Sequence, residues 1–112
     1  MPPAQLLRGQ LYRVRRPSGD PKTARVFVVV ARQTALLSRF PVIACAPVHT
    51  RRLGLDTEVA VGAAEGLLHD SAIRCDGITS LPRELLSDYV GSLGAKQLEQ
   101  LNQALRLALD LV

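Results

Sequence analysis

Arg74-Cys75-Asp76, within Ser71-Ala-Ile-Arg-Cys-Asp-Gly-Ile78, sets a guanidinium and a carboxylate two residues apart. Read as a strand, the run turns Ile73 and Cys75 to one face and Arg74 and Asp76 to the other. Such a pair can steady a phosphate and move a proton. It is equally the pattern of a surface ion pair, which contributes little to stability. Arg25 stands where Pro17-Ser-Gly-Asp-Pro-Lys-Thr23, a run of turn formers, gives way to the apolar Val26-Phe-Val-Val-Val-Ala31. The strand fixes its base, and its planar fork can reach the oxygens of a phosphate. His49, in Pro47-Val48-His49-Thr50, carries a side chain that titrates near neutrality. It is a candidate general base, or a strand-end histidine bonded to the backbone. His69, in a loop with an acidic flank, reads as exposed and without a role.

The elements that must position these groups are mostly strands. Gly9 to Arg16 alternates imperfectly, as a half-buried strand does. Arg25 to Ala31 is a continuous β-branched run, the mark of a central strand covered on both faces. Phe40 to Ala46 is another, with Pro41 at its start, where a missing donor does least harm. Thr57 to Val61 and Ser71 to Ile78 are short strands. Pro82, in Ser80-Leu-Pro-Arg-Glu-Leu-Leu, is placed as at the first turn of a short helix. From Ala95, Leu98, Leu101, Ala104, Leu105, Ala108 and Leu109 recur at three- and four-residue spacing and form one helical stripe, for the core or a dimer interface. This order predicts a small barrel or curled sheet with a helix packed against it.

With 112 residues, the chain fits a single domain spanning 1–112. No apolar run is long enough to cross a bilayer, and Met1 to Arg8 lacks the apolar stretch of a signal peptide, so a cytoplasmic protein without membrane contact is expected. Cys45 and Cys75 read as reduced core thiols, with no CxxC or His/Cys cluster to suggest a metal. Charge is unevenly spread. Residues 1–52 carry ten Lys and Arg against the single acid Asp20, a net +9, whereas residues 53–112 carry four against nine, a net −5. This asymmetry points to an anionic partner reading one side of the molecule.

Taken in order, these residues resemble the MazF/PemK family of bacterial toxins over essentially the whole chain. Arg8-Gly9-Gln10-Leu11-Tyr12 is similar to the family's Arg-Gly-Asp/Glu-Ile-Trp. The loop to Thr23 and the run from Arg25 to Val30 resemble its Gly-rich loop, arginine and apolar strand. Ala46-Pro47-Val48-His49-Thr50 is similar to Val-Pro-Ile/Val-Thr-Ser. Gly66-Leu67, Ser71, Arg74-Cys75-Asp76, Ile78-Thr79-Ser80-Leu81 and Val90-Gly91-Ser92-Leu93 follow the later blocks. The resemblance implies a mainly β fold with a C-terminal helix, an SH3-like barrel of the MazF/CcdB/Kid type. It further implies a homodimer, a toxin inhibited by an antitoxin whose acidic tail fills the RNA groove, and sequence-selective cleavage of single-stranded RNA with no metal or other cofactor.

On that resemblance, Arg25 matches the family's catalytic arginine, although Val26 replaces the usual following proline. Arg74 and Asp76 match the acid and base of the PemK/Kid branch. An aspartate beside an arginine is a weak proton acceptor, so Asp76 is either an orienting group or a plain ion-pair partner. The family's functional threonine falls at His49 without a gap and at Thr50 with one inserted residue. Thr50 is read as a phosphate or ribose ligand, and His49 is kept as the base. Arg13, Arg15, Arg16, Lys22, Arg51 and Arg52 are expected to track phosphates, and Tyr12 to stack on an unpaired base or to sit in the core. The rival reading is a non-catalytic toxin of the same fold, like the gyrase-poisoning CcdB proteins, or a degenerate member that only binds RNA or an antitoxin. The CcdB poison surface includes a C-terminal tryptophan where this chain has Leu109-Asp-Leu-Val112.

Overall fold

A computed structural model of the protein describes residues 5–15 and 24–111; Arg16, Lys22 and the turn-rich run from Pro17 to Thr23 lie outside the described residues. The elements are strands β1 (Gln10–Val14), β2 (Arg25–Val29), β3 (Val42–His49), β4 (Glu58–Val61), β5 (Ser71–Arg74), β6 (Thr79–Pro82) and β7 (Asp88–Ser92), with helices α1 (Gln33–Leu37) and α2 (Ala95–Ala108). Single 3-10 turns cover Ala63–Glu65, Cys75–Gly77 and Arg83–Leu85. The fold is mainly β with a C-terminal helix, as the order of elements predicts.

The sheet runs β4-β5-β3-β2-β1-β7, and every register given is antiparallel. β3 organises it. One edge of β3 pairs with β2. The other is shared: Val42 to Cys45 pair with β6, and Val48 and His49 pair with β5. Pro47 sits at this change of partner, where neither β5 nor β6 supplies a register partner, so its missing N–H interrupts no ladder there.

Strand alternation separates two cores. Leu11, Val28, Ala46, Val48, Val59, Val61, Ile73 and Cys75 face α2, which adds Leu101 and Ala104. Tyr12, Val29, Ile43 and Cys45 face the other way and are covered by Leu36 of α1 and by Leu86. Leu98, Leu105 and Ala108 pack on the first core from the rim of α2, but Leu109 is exposed, so the helical stripe ends one residue short of its predicted length. Both thiols are free and buried; burial pushes Cys45 up to about 12 and Cys75 to about 11.

Three predictions need correction. The run from Phe40 forms a strand that starts only at Val42 and continues to His49, so Pro41 precedes it. The run from Ser71 does not continue to Ile78 but stops at Arg74, and Cys75–Gly77 turn away as a 3-10 helix. Thr57 holds this turn: its carbonyl accepts the Cys75 N–H at 3.1 Å, the last bond of the β4–β5 ladder, and its hydroxyl donates to the Asp76 carboxylate. Gly77 then lies so close to Pro47 that an added Cβ would stand 3.0 Å from its ring. Pro82 likewise ends β6 instead of opening a helix, and the helical turn begins at Arg83. Arg83 ties this turn to α1, donating to the carbonyls of Ala35, Leu36 and Phe40 at 3.0–3.2 Å.

Candidate active site

Register brings the chemistry together. β2 and β3 pair Phe27 with Pro47, and two residues further along the same ladder Arg25 comes opposite His49. β1 sets Val14 beside Arg25, and β5 sets Ala72 beside His49. One row across four strands therefore carries the guanidinium and the imidazole side by side. Arg25 is exposed and His49 half-buried. Arg25 Nη1 lies 2.6 Å from His49 Nδ1 and 3.2 Å from Nε2. A guanidinium can only donate, so the ring meets it as an acceptor, which an imidazole provides only in its neutral form. Burial first, then the charges of Arg25 and Arg74, push His49 below its ordinary value of 6.5, with Glu58 pulling partly back. At neutral pH the ring is uncharged.

This pair opens on a cavity of about 680 Å³. Arg13, Thr50 and Arg51 line it with Arg25 and His49, and Leu67, Leu68, His69 and Ser71 complete the lining from the segment that leads into β5. His69, read from the sequence as having no role, faces the same space as His49. Ser71 is buried and donates from its hydroxyl to the His69 carbonyl at 2.9 Å, which fixes the backbone of that wall.

The other predicted residues fall elsewhere. Arg74 and Asp76 do not share a strand face and do not line the cavity. Asp76 is held by Thr57, while Arg74 Nη2 donates to the Arg51 carbonyl at 3.2 Å and Nε stands 3.8 Å from the Glu58 carboxylate. Glu58 in turn accepts the N–H groups of Leu53 and Leu55 at 3.0–3.1 Å. Arg74 and Glu58 thus brace the loop that carries Thr50, Arg51 and the exposed Arg52. Arg15 is exposed and points to Asp88, 3.7 Å away. Tyr12 is not a stacking surface: it is 2% exposed, bonds to Gln10 through its hydroxyl at 2.9 Å and meets Tyr89 edge-on at 5.8 Å. An aromatic on a central strand buys its place by filling the core, and this one leaves no face for a base. Among the described residues no cluster of three or more His, Cys, Asp or Glu could hold a metal ion.

Comparison with known proteins places the fold. Residues 7–109 match the family described as PemK-like, MazF-like toxin of type II toxin-antitoxin system. Endoribonuclease MazF3 of Mycobacterium tuberculosis is 38% identical over 69 residues, 62% of this chain and 67% of the relative. The solved structure of Mycobacterium tuberculosis toxin MazF-mt6 superposes with a TM-score of 0.80 at 28% identity, covering 92% of this chain and 98% of that one. A mycobacterial endoribonuclease solved in complex with its cognate antitoxin superposes with a TM-score of 0.81 at 27% identity, covering 96% and 97%. With the strand order, the Arg25–His49 row and the basic cavity already in place, the chain belongs to the PemK-like, MazF-like toxins of type II toxin-antitoxin systems.

Proposed function

We propose that this toxin is an endoribonuclease that cleaves single-stranded RNA at the Arg25–His49 cavity, by attack of a ribose 2′-hydroxyl on its own 3′-phosphate. The observation that carries this reading is the short Arg25–His49 contact at the edge of a basic cavity. Such cleavage needs a group to take the 2′ proton and a fixed cation to neutralise the phosphorane. Arg25 supplies the cation. Before RNA binds, it donates to a lone pair of the His49 ring. A phosphate entering the cavity draws the guanidinium onto its oxygens, a stronger, charge-assisted pairing, and frees that lone pair for the 2′-hydroxyl. The lowered proton affinity of His49 keeps it unprotonated and ready at neutral pH.

Thr50 serves as the phosphate or ribose ligand, and Arg13 and Arg51 hold the flanking phosphates. Arg15 and Arg52 lie further out and add to the field that attracts RNA. Arg74 is assigned a positioning role through the Arg51 carbonyl, and Asp76 a structural one through Thr57. The reaction needs no metal or other cofactor, and the cleavage is sequence-selective. In its family setting the toxin acts in the cytoplasm and is silenced by an antitoxin whose acidic segment occupies the same basic cavity. Residues 1–112 form one domain that works as a homodimer; the exposed Leu37, Phe40 and Val42, neighbours around the start of β3, support an apolar contact between copies.

The test is direct. Purified protein in EDTA should cut an unstructured RNA to 2′,3′-cyclic phosphate and 5′-hydroxyl ends, and Arg25→Ala should lose that activity. Intact RNA across many sequences, with Arg25→Ala as toxic in cells as the parent, would refute the nuclease reading in favour of a binding toxin.

A further inference from the structure

The proposed reaction has two proton transfers, and the Arg25–His49 pair accounts for one. The leaving 5′-oxygen departs as an alkoxide unless something protonates it. The chain contains two histidines, and both line the same cavity: His49 at the end of β3, and His69 in the connection leading into the neighbouring β5. We propose that His69 is the general acid of this toxin, donating its proton to the 5′-oxygen as His49 takes the 2′ proton. The assignment rests on the nuclease reading above and adds to it the second catalytic group.

The lining residues leave no other donor of suitable chemistry. Arg13, Arg25 and Arg51 do not release a proton under physiological conditions. Thr50 and Ser71 carry alcohols, which are no stronger acids than the ribose hydroxyl being released. The remaining lining residues other than His49 are apolar. His69 is exposed at the rim, so water can return its proton after each turnover. Its backbone is pinned by the buried Ser71 hydroxyl, which gives the ring a fixed base. The charged groups around it are Asp70, its neighbour in the chain, and Arg13, Arg25 and Arg51 across the cavity. His49 is faced by Arg25, Arg74 and Glu58.

The protons and electron pairs balance. The 2′-oxygen forms its bond to phosphorus as its proton passes to His49. The phosphorus–5′-oxygen bond breaks with its electron pair on oxygen, which takes the proton of the His69 imidazolium. The products are a 2′,3′-cyclic phosphate, a 5′-hydroxyl, protonated His49 and neutral His69. Water then exchanges the two protons back.

A substrate with sulfur in place of the bridging 5′-oxygen separates the roles, because a thiolate leaves without being protonated. On ordinary RNA at neutral pH, His69→Ala and His69→Gln should each cleave at least about 100-fold more slowly than the parent. On the 5′-thio substrate both should return to within about threefold of the parent, a small remnant on the scale of general-acid catalysis. His49→Ala should stay slow on both substrates. Melting curves of the His69 variants should overlay the parent, since the ring is exposed. Parental rates of His69→Ala on ordinary RNA, or equal slowing on both substrates, would overturn the assignment while leaving the nuclease intact. A parent that cleaves neither substrate overturns the nuclease reading and this assignment with it.

Discussion

Removing the Glu58 carboxylate should loosen the loop that carries Thr50, Arg51 and Arg52. The Glu58 side chain is 5% exposed, accepts the N–H groups of Leu53 and Leu55, and faces Arg74, whose buried Nε has no hydrogen-bond partner of its own. Hydrogen bonds to a charged group are worth about 1.5–3 kcal/mol each when shielded. Leu53 and Leu55 are exposed, so water replaces much of what their amides lose. Arg74 also keeps its charge without its partner. Together these set the cost of Glu58→Ala at about 2–3 kcal/mol, or a fall in Tm of about 10–15 °C for a domain of this size. The dependence on acid gives a sharper signature. Backbone N–H donors, Leu55 foremost, hold the Glu58 carboxyl below its ordinary value of 4.5, against an opposing desolvation, with Arg74 adding to the lowering. The unfolded chain therefore takes up this proton at higher pH than the folded one. Its contribution is fully present above about pH 5 and is lost as pH falls through the depressed folded value. Thermal melts of the parent, Glu58→Gln and Glu58→Ala between about pH 7 and pH 3 measure both effects. Glu58→Gln, which keeps an acceptor but no charge, should lose about half as much stability as Glu58→Ala and show a flatter acid limb. If Glu58→Ala melts within about 2 °C of the parent and keeps its acid limb, the carboxylate is not the anchor of this loop.

Two further perturbations address the site and the frame. Arg25→Gln should raise the His49 value toward 6.5 without fully restoring it, because burial is the larger cause of its depression; an NMR pH titration of the ring protons reads the shift, and an unchanged midpoint would show that the two groups are not in contact in solution. Gly91→Ala should prevent or severely weaken folding, since a Cβ there would stand 2.1 Å from the Glu65 carbonyl oxygen, and backbone cannot yield as a side-chain tip can; a cooperative melt within about 1 kcal/mol of the parent would contradict this packing.

The frame was largely legible because its strands are β-branched runs and its helix a leucine stripe. Arg25 was legible too, as a charged residue at the edge of an apolar run. The errors have local causes. Ile73 and Cys75 alternate as in a strand and so carry Asp76 with them, but no pattern in the run itself reveals that Thr57, nineteen residues earlier, captures it. Tyr12 carries the same letters whether it is core or platform; only the packing of Tyr89 and Gln10 around it decides. His69 is silent in the sequence because its surroundings beside Asp70 resemble those of any solvated loop. A signal for it did exist: once the run at Ser71 is paired antiparallel with the end of the run at His49, the residues just before Ser71 must come up beside Thr50. Pairing between distant strands, not local composition, assembles the cavity.

The shared edge of β3 has a consequence for how such a protein is made. β3 leaves the ribosome early, but its outer edge is completed only by β5 and β6, and β1 acquires its second neighbour only when β7 emerges. Contacts of such long sequence separation are slow to close, and they cannot close at all on a nascent chain that has not yet reached residue 88. The wall bearing His69 is docked by that same late pairing. Synthesis of the toxin therefore passes through a stage in which Arg25 and His49 already exist but the enclosure around them does not, and a chain cut short before β5 lacks the wall that completes the site.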